Sequence, residues 1–404
     1  ALFVIPEPLH NPARLALYAV GVAAACCLSL NSFSAVLSGY QRYELIALAR
    51  LVAIGLRVAL VLALLGHGET LLCIAIIFGT TECLAAVLNL CFAWRLLPKH
   101  PLQLAAIRWP VLREMFGYGV NTFIYAIGAV AVAKTGEIVV GIYLTPEHIT
   151  YYTLALMPPM LLTGFVESAV AAIKPAVTDL DSRKEIGQIQ ELTLLSQKYV
   201  LLFLVPAMAF LLILGGNFYQ AWLHRPVDEA VRLLPILAAG YLVHAAQYPL
   251  FQVLAGRGEH RIFGLLTLAM GASAIGLEIF FCRGLGWGST GVALGSTAAI
   301  VAVCGVVLPI HAAKRLAIPL AEFSRGSWLP AASASAPAVL VLVLWRAWRP
   351  PQTLLELALV AGSTGLVLIG SSWRLALGKP ERTRFLLMAR TVLESCGGLA
   401  NSRL

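Results

Sequence analysis

Charged side chains are scarce in this chain. Only 12% of its 404 residues are Asp, Glu, Lys or Arg, about half the share carried by a soluble domain. So little charge cannot cover a water-facing surface, which excludes a soluble globular protein. Polar linkers between soluble domains are also lacking. The eight cysteines fall mostly inside apolar runs and show none of the paired spacing of a zinc site. They read as small fillers of an apolar interior, not as metal ligands or disulfide partners. The Gly-rich turn at 284–288 is not followed by the GK[ST] of a phosphate loop. No nucleophile–base arrangement is visible. Nothing therefore points to an enzyme, a cofactor or a bound metal.

What the chain has instead is long apolar runs. Hydrophobic residues make up 59% of it, with a mean hydropathy of +0.84. A membrane-spanning helix needs roughly 20 mostly apolar residues. About eleven such runs are predicted, near 17–38, 45–66, 70–93, 117–142, 150–173, 197–216, 229–255, 262–282, 288–311, 328–347 and 353–374. In lipid an open strand would leave its backbone groups unpaired, so helix is the only sensible reading. A β-barrel would show short alternating segments, whereas these runs are long and uniformly apolar. The expected fold is an all-α polytopic membrane protein in the bilayer.

The net charge of +9 follows from topology. If the segment 40–44 is cytoplasmic, most Lys and Arg collect in cytoplasmic loops and the C-terminal tail. The opposite side then carries only Arg14, Arg225, Arg232, Arg283, Arg346 and Arg349. That bias is the one expected of membrane proteins, and it accounts for the charge without a nucleic-acid partner. The polar stretch 178–196, with Ile186, Ile189 and Leu192 on one helical face, reads as a short cytoplasmic amphipathic helix.

Two regions read alike. Leu37-Ser-Gly-Tyr-Gln-Arg-Tyr-Glu-Leu-Ile leads into an apolar span, a Gly-rich turn at 66–68, a second span and Trp94-Arg95-Leu-Leu-Pro98. Leu254-Ala-Gly-Arg-Gly-Glu-His-Arg-Ile-Phe leads into a span, the turn at 284–288, another span and Lys314-Arg315-Leu-Ala-Ile-Pro319. Both copies run in the same direction, which predicts two parallel lobes related about an axis along the membrane normal. The second copy is preceded by three more spans and the first by almost none, so the repeat predicts about three further helices ahead of Ala1. The expected organisation is a truncated N-terminal lobe (1–95), a cytoplasmic linker (96–116) and a six-helix lobe (117–312). Two accessory helices (328–374) and a cytoplasmic tail (375–404) would follow.

This plan resembles the multidrug/oligosaccharidyl-lipid/polysaccharide exporter superfamily. The local wording resembles its oligosaccharide flippase branch, the polysaccharide biosynthesis or O-antigen transporter-like proteins. The pieces that carry the resemblance are Val36-Leu-Ser-Gly-Tyr-Gln-Arg-Tyr43, Arg113-Glu-Met-Phe-Gly-Tyr-Gly119, Leu254-Ala-Gly-Arg-Gly-Glu-His260 and Gly288-Ser-Thr-Gly-Val-Ala-Leu-Gly295. The resemblance implies a multi-pass protein of the bacterial cytoplasmic membrane. It would flip a polyprenyl-diphosphate-linked oligosaccharide to the periplasmic face by alternating access, for O-antigen, capsule or exopolysaccharide synthesis. It also implies the polysaccharide polymerase machinery as a partner. Two other readings stay open. One is an ion-coupled exporter of small molecules or drugs from the same superfamily. The other is a membrane-embedded glycan polymerase or ligase, against which the short loop near 217–228 argues.

Ionisable residues within spans cost about 2.5–3.5 kcal/mol at a helix centre and usually face a partner or a water-filled cavity. Arg57 and Lys134 lie at similar depth, one per lobe, and are candidate ligands for a diphosphate or an acidic sugar. Structural pairing of Arg57 with Glu82, and of Lys134 with Glu137 at i, i+3, is the competing reading. Glu82 and Glu137 are also candidates for coupling to protons or sodium. Glu167 and Glu278 read as residues of the membrane–water interface. Tyr241, His244 and Tyr248, with Phe251 on the same helix face, form a candidate sugar-stacking wall. Asn121 and Tyr125 form a shorter one. Interhelical packing is the plainer account of both.

Overall fold

A computed structural model describes residues 10–64, 71–97, 108–383 and 387. Among them there is helix and no strand. Eleven helical stretches are long and apolar enough to cross a membrane, so the protein is an all-α, multi-pass membrane protein. Contacts divide the chain into two compact units, one running to Met115 and the other starting at Phe116. The turn at 66–68 and residues 98–107 of the expected linker lie outside the described residues.

The first unit is built on α1 (His10–Gly39), α2 (Tyr43–Leu64) and α3 (Leu71–Leu96). The third helix is the hub: α1 and α2 both pack along it and touch each other little. Apart from Ile77, its buried positions Thr81, Ala86, Asn89 and Ala93 are small or polar, as expected where lipid offers helices no hydrophobic drive to associate and close approach decides packing.

The second unit comprises α4 (Trp109–Tyr143), α5 (Pro146–Val170), α6 (Ile173–Ser182), α7 (Ile186–Leu223), α8 (Asp228–Ala246), α9 (Tyr248–Gly256), α10 (His260–Ile279), α11 (Gly288–Ile300), α12 (Leu308–Leu316), α13 (Leu320–Phe323), α14 (Leu329–Trp348) and α15 (Leu354–Ser371). Most of α4 and everything after it belong here. In the middle, α8 packs against α5, α7 and α11. Leu233, Leu234 and Leu237 of α8 are buried with Leu201, Leu204 and Met208 of α7. A second cluster joins α14 and α15 to α7 through Leu214, Leu342, Leu357 and Val360.

Glycines set the closest approaches. A side chain on Gly128 of α4 would begin 2.6 Å from the backbone of Thr267 and Leu268 in α10. One on Gly295 of α11 would begin 2.5 Å from the backbone nitrogen of Glu278. These contacts press α4 against α10 and α11 against α10, and α4 and α10 both contribute to the wall of the second cavity described below.

Two expectations are corrected. The stretch 178–196 is not one short helix. The chain turns after α6 with Lys184 at φ 60°, and the remainder is the first part of the 38-residue α7. The amphipathic periodicity is real but belongs to the base of a span. Glu278 is not an interface residue: it is 0% exposed, packed among α4, α10 and α11. There it accepts hydrogen bonds from Ser296 and from Thr135.

Candidate functional site

The first unit encloses a cavity of about 560 Å³. Helical spacing explains its lining. Arg50, Ala53, Ile54 and Arg57 share one face of α2, and Glu82, Ala85, Ala86 and Asn89 share one face of α3, following the i, i+3, i+4, i+7 rule. Arg57 is held from three directions. Its Nη2 donates to Glu82 Oε1 at 2.6 Å and its Nε to Thr81 Oγ1 at 3.0 Å. The guanidinium also lies 4.4 Å from the centroid of the Phe78 ring. Thr81 is itself buried and donates to the backbone oxygen of Ile77 at 2.8 Å. The Arg57 side chain is 19% exposed and that of Glu82 56%, so the carboxylate is the more accessible partner.

Arg50, one heptad before Arg57, is exposed on the same wall and makes no ion pair among the described residues. With Arg50, Arg57 and Glu82 as the charged residues lining it, the wall carries an excess of one positive charge. Asn89 adds a buried amide oxygen with no hydrogen-bond partner. Such an atom is costly to leave unsatisfied and is ready to accept a donor from a ligand.

The second unit encloses a cavity of about 340 Å³. The aromatic stripe of α8 and α9 forms one side. Ring centroids lie 6.0 Å apart for Tyr241 and His244, 5.3 Å for His244 and Tyr248, and 6.0 Å for Tyr248 and Phe251. The helix breaks at Gln247 between α8 and α9, yet the stripe continues across the break. Tyr125 of α4 closes the opposite side, stacked on Phe263 of α10 at 4.6 Å, and Phe263 meets Phe251 edge-on at 4.7 Å. Tyr125, Tyr241, His244 and Tyr248 are thus brought to one cavity. Glu167 of α5 joins them on its wall, where sequence reading had placed it at the membrane–water interface. The side chain of Asn121 lies outside the described residues.

Lys134 stands apart from this cavity. Its neighbours Val132 and Ala133 line it and Lys134 does not. The amine donates to both oxygens of Glu137 at 3.0 Å and stays 52% exposed, against 20% for Glu137.

Two wall residues escaped the sequence reading. Arg50 had been counted as a loop charge, although its seven-residue spacing from Arg57 already put both on one helix face. Glu167 carried no local signal, because it meets Tyr125 and Tyr248 only through the packing of separate helices.

The chain matches the family described as "Polysaccharide biosynthesis protein" over residues 14–225, just over half its length. It belongs to that family. It is 22% identical over 236 residues to the "Uncharacterized membrane protein EpsK" of Bacillus subtilis (strain 168), a match covering 57% of this chain and 46% of EpsK. The chain thus spans about half the length of that relative. Its fold is similar to that of a solved structure, "Lipid II flippase MurJ, inward closed conformation", with a TM-score of 0.63 and 16% identity. That likeness covers 83% of this chain and 68% of MurJ. The family match takes in every residue lining the first cavity and, in the second, those contributed by α4 and α5.

Proposed function

We propose that this protein carries a polyprenyl-diphosphate-linked oligosaccharide across the bacterial cytoplasmic membrane, from the cytoplasmic to the periplasmic face, for surface polysaccharide synthesis. The observation that carries this reading is membership of the polysaccharide biosynthesis family. The fold shared with a lipid II flippase supports it. Such a carrier would work by alternating access, delivering glycan to the polymerase machinery.

The two cavities suit different parts of such a lipid. Arg57 and Arg50 offer donors for diphosphate oxygens, where guanidinium forms strong charge-assisted hydrogen bonds. Lys134 offers a half-exposed ammonium for the same chemistry. Glu82 and Glu137 hold Arg57 and Lys134. They are the carboxylates a binding event would release, and so the candidates for ion coupling. Tyr241, His244, Tyr248 and Tyr125 offer ring faces and polar edges to a sugar. An exporter of cationic drugs would favour carboxylates alone, whereas in the first cavity Glu82 is paired with Arg57 and a second guanidinium, Arg50, lines the same wall.

The test is deletion of the complete gene in the source organism, followed by assay of polyprenyl-diphosphate-linked glycan and surface polysaccharide. Loss of surface polysaccharide with build-up of the lipid-linked intermediate on the cytoplasmic side is expected. If both stay unchanged in a strain without a second copy, the proposal is wrong.

A further inference from the structure

The second cavity has a charge pattern that the lipid headgroup does not explain. Glu167 is the one formally charged side chain on its wall, and it makes no hydrogen bond or ion pair among the described residues. No lysine or arginine lines the cavity. His244 adds Nδ1, which is buried without a hydrogen-bond partner. The hydroxyls of Tyr125, Tyr241 and Tyr248 are likewise unbonded among the described residues. Of these groups His244 Nδ1 is fully buried, where an unpaired polar atom is costly, and Glu167 is exposed on the wall. This set is arranged to be satisfied by a hydroxyl-rich ligand lying against aromatic faces.

Charge then decides which ligand. A sugar hydroxyl or ammonium can donate to the Glu167 carboxylate. A sugar carboxylate would meet a like charge with no cation on the wall to receive it, and like charges placed together are a common device for rejecting a wrong partner. We infer that this cavity holds an uncharged or amine-bearing sugar ring of the lipid-linked glycan, and that Glu167 sets its specificity by rejecting sugars that carry a carboxylate. The inference rests on the lipid-linked glycan reading above and narrows it to a substrate class. Both Glu167 and the aromatic wall belong to one unit of the chain.

The test uses the full chain in lipid nanodiscs with four synthetic probes. These are bare polyprenyl diphosphate and the same lipid carrying a neutral hexose, an amino hexose or a hexuronate, with Kd read by microscale thermophoresis. The neutral and amino probes are expected to bind at least about tenfold more tightly than the hexuronate. Glu167→Gln, close in shape and at an exposed position, should bring the hexuronate to within about threefold of the neutral probe, while Glu167→Asp keeps the gap. Each variant's melting temperature confirms that it is folded. Equal binding of hexuronate and neutral hexose by the unaltered protein would overturn the inference, as would a gap that persists in folded Glu167→Gln. In either case the flippase reading survives. If none of the four probes binds, that reading falls, and this inference with it.

Discussion

Lys198 of α7 and Glu381 meet at 2.5 Å although 183 residues separate them. Both side chains are nearly buried, at 6% and 12% exposure, and Glu381 also accepts from Tyr199 at 2.9 Å and from the Gly378 N–H at 2.6 Å. The pair pins the segment after α15 to α7.

A broken pair of this kind leaves an ammonium with too few partners. Replacing one member of a buried pair costs about 3–5 kcal/mol. Glu381 keeps some solvent contact and Lys198 retains the Ala376 carbonyl at 3.3 Å, so Glu381→Gln is expected to cost about 3 kcal/mol. The pH dependence follows. Burial pushes the Glu381 carboxyl up, but hydrogen bonds from Lys198, Gly378 and Tyr199 outweigh it and hold the group below its usual range. A depressed folded value means stabilisation that is present above the unfolded value and lost as pH falls through the folded one. The melting temperature of the purified protein in detergent should therefore drop below about pH 4.3. The drop should be shallower in Glu381→Gln. Parallel curves for the two proteins would refute this account.

Gly295 is expected to tolerate no side chain. A Cβ there begins 2.5 Å from backbone, not from a flexible side chain, so α11 must shift away from α10. Overpacking of this kind costs about 1–3 kcal/mol, and Gly295→Val should lie at the top of that range. Gly164 of α5, which faces open space, is the contrast: Gly164→Ala should leave the melting temperature unchanged or slightly raised.

Span number and helix type were legible because length and apolarity alone decide them in a bilayer. The Tyr241–Phe251 stripe was legible because its members repeat at helical spacing. What sequence could not show were meetings between helices. Tyr125 and Glu167 reach that stripe from α4 and α5, and Glu278 reaches Thr135 across 143 residues. Depth along a helix was taken as a guide to the surroundings of Glu278, and it failed because Ser296 and Thr135 make a polar niche inside the bundle. The reading of 178–196 failed at Lys184, whose left-handed backbone is not announced by its residue type.

That niche gives a third prediction. Glu278→Gln keeps an oxygen acceptor for Ser296 and Thr135, so its stability should stay within about 1 kcal/mol of the parent. Glu278→Ala removes the acceptor that both hydroxyls share, which costs about 1–3 kcal/mol each when no partner remains. Partners do remain: Thr135 also donates to the Ala131 carbonyl at 2.6 Å, and Ser296 lies 3.2 Å from the Tyr152 hydroxyl. The net loss should therefore be about 2 kcal/mol, most of it from the space left behind. Thermal melts of the two variants side by side measure the difference, and equal losses would refute this account.

Arg57 separates phosphate recognition from mere pairing with Glu82. If its task is structural, Arg57→Ala and Glu82→Gln remove the same contact and should lower membrane abundance and surface polysaccharide alike. If its task is to hold an anionic headgroup, the two diverge. Arg57→Ala is then expected to cut surface polysaccharide by about tenfold or more, the loss of one charge-assisted hydrogen bond being worth about 1.5–3 kcal/mol, at unchanged abundance. Glu82→Gln would leave the guanidinium in place on Thr81 and Phe78 and retain most of the output, a result that would also remove Glu82 from the candidates for ion coupling. Arg57→Lys keeps the charge but loses the planar fork, so it should fall between. The ratio of polysaccharide to protein in membranes reads all three variants. Equal ratios across them would assign Arg57 to the packing of α2 on α3 and leave Arg50 as the cation to test.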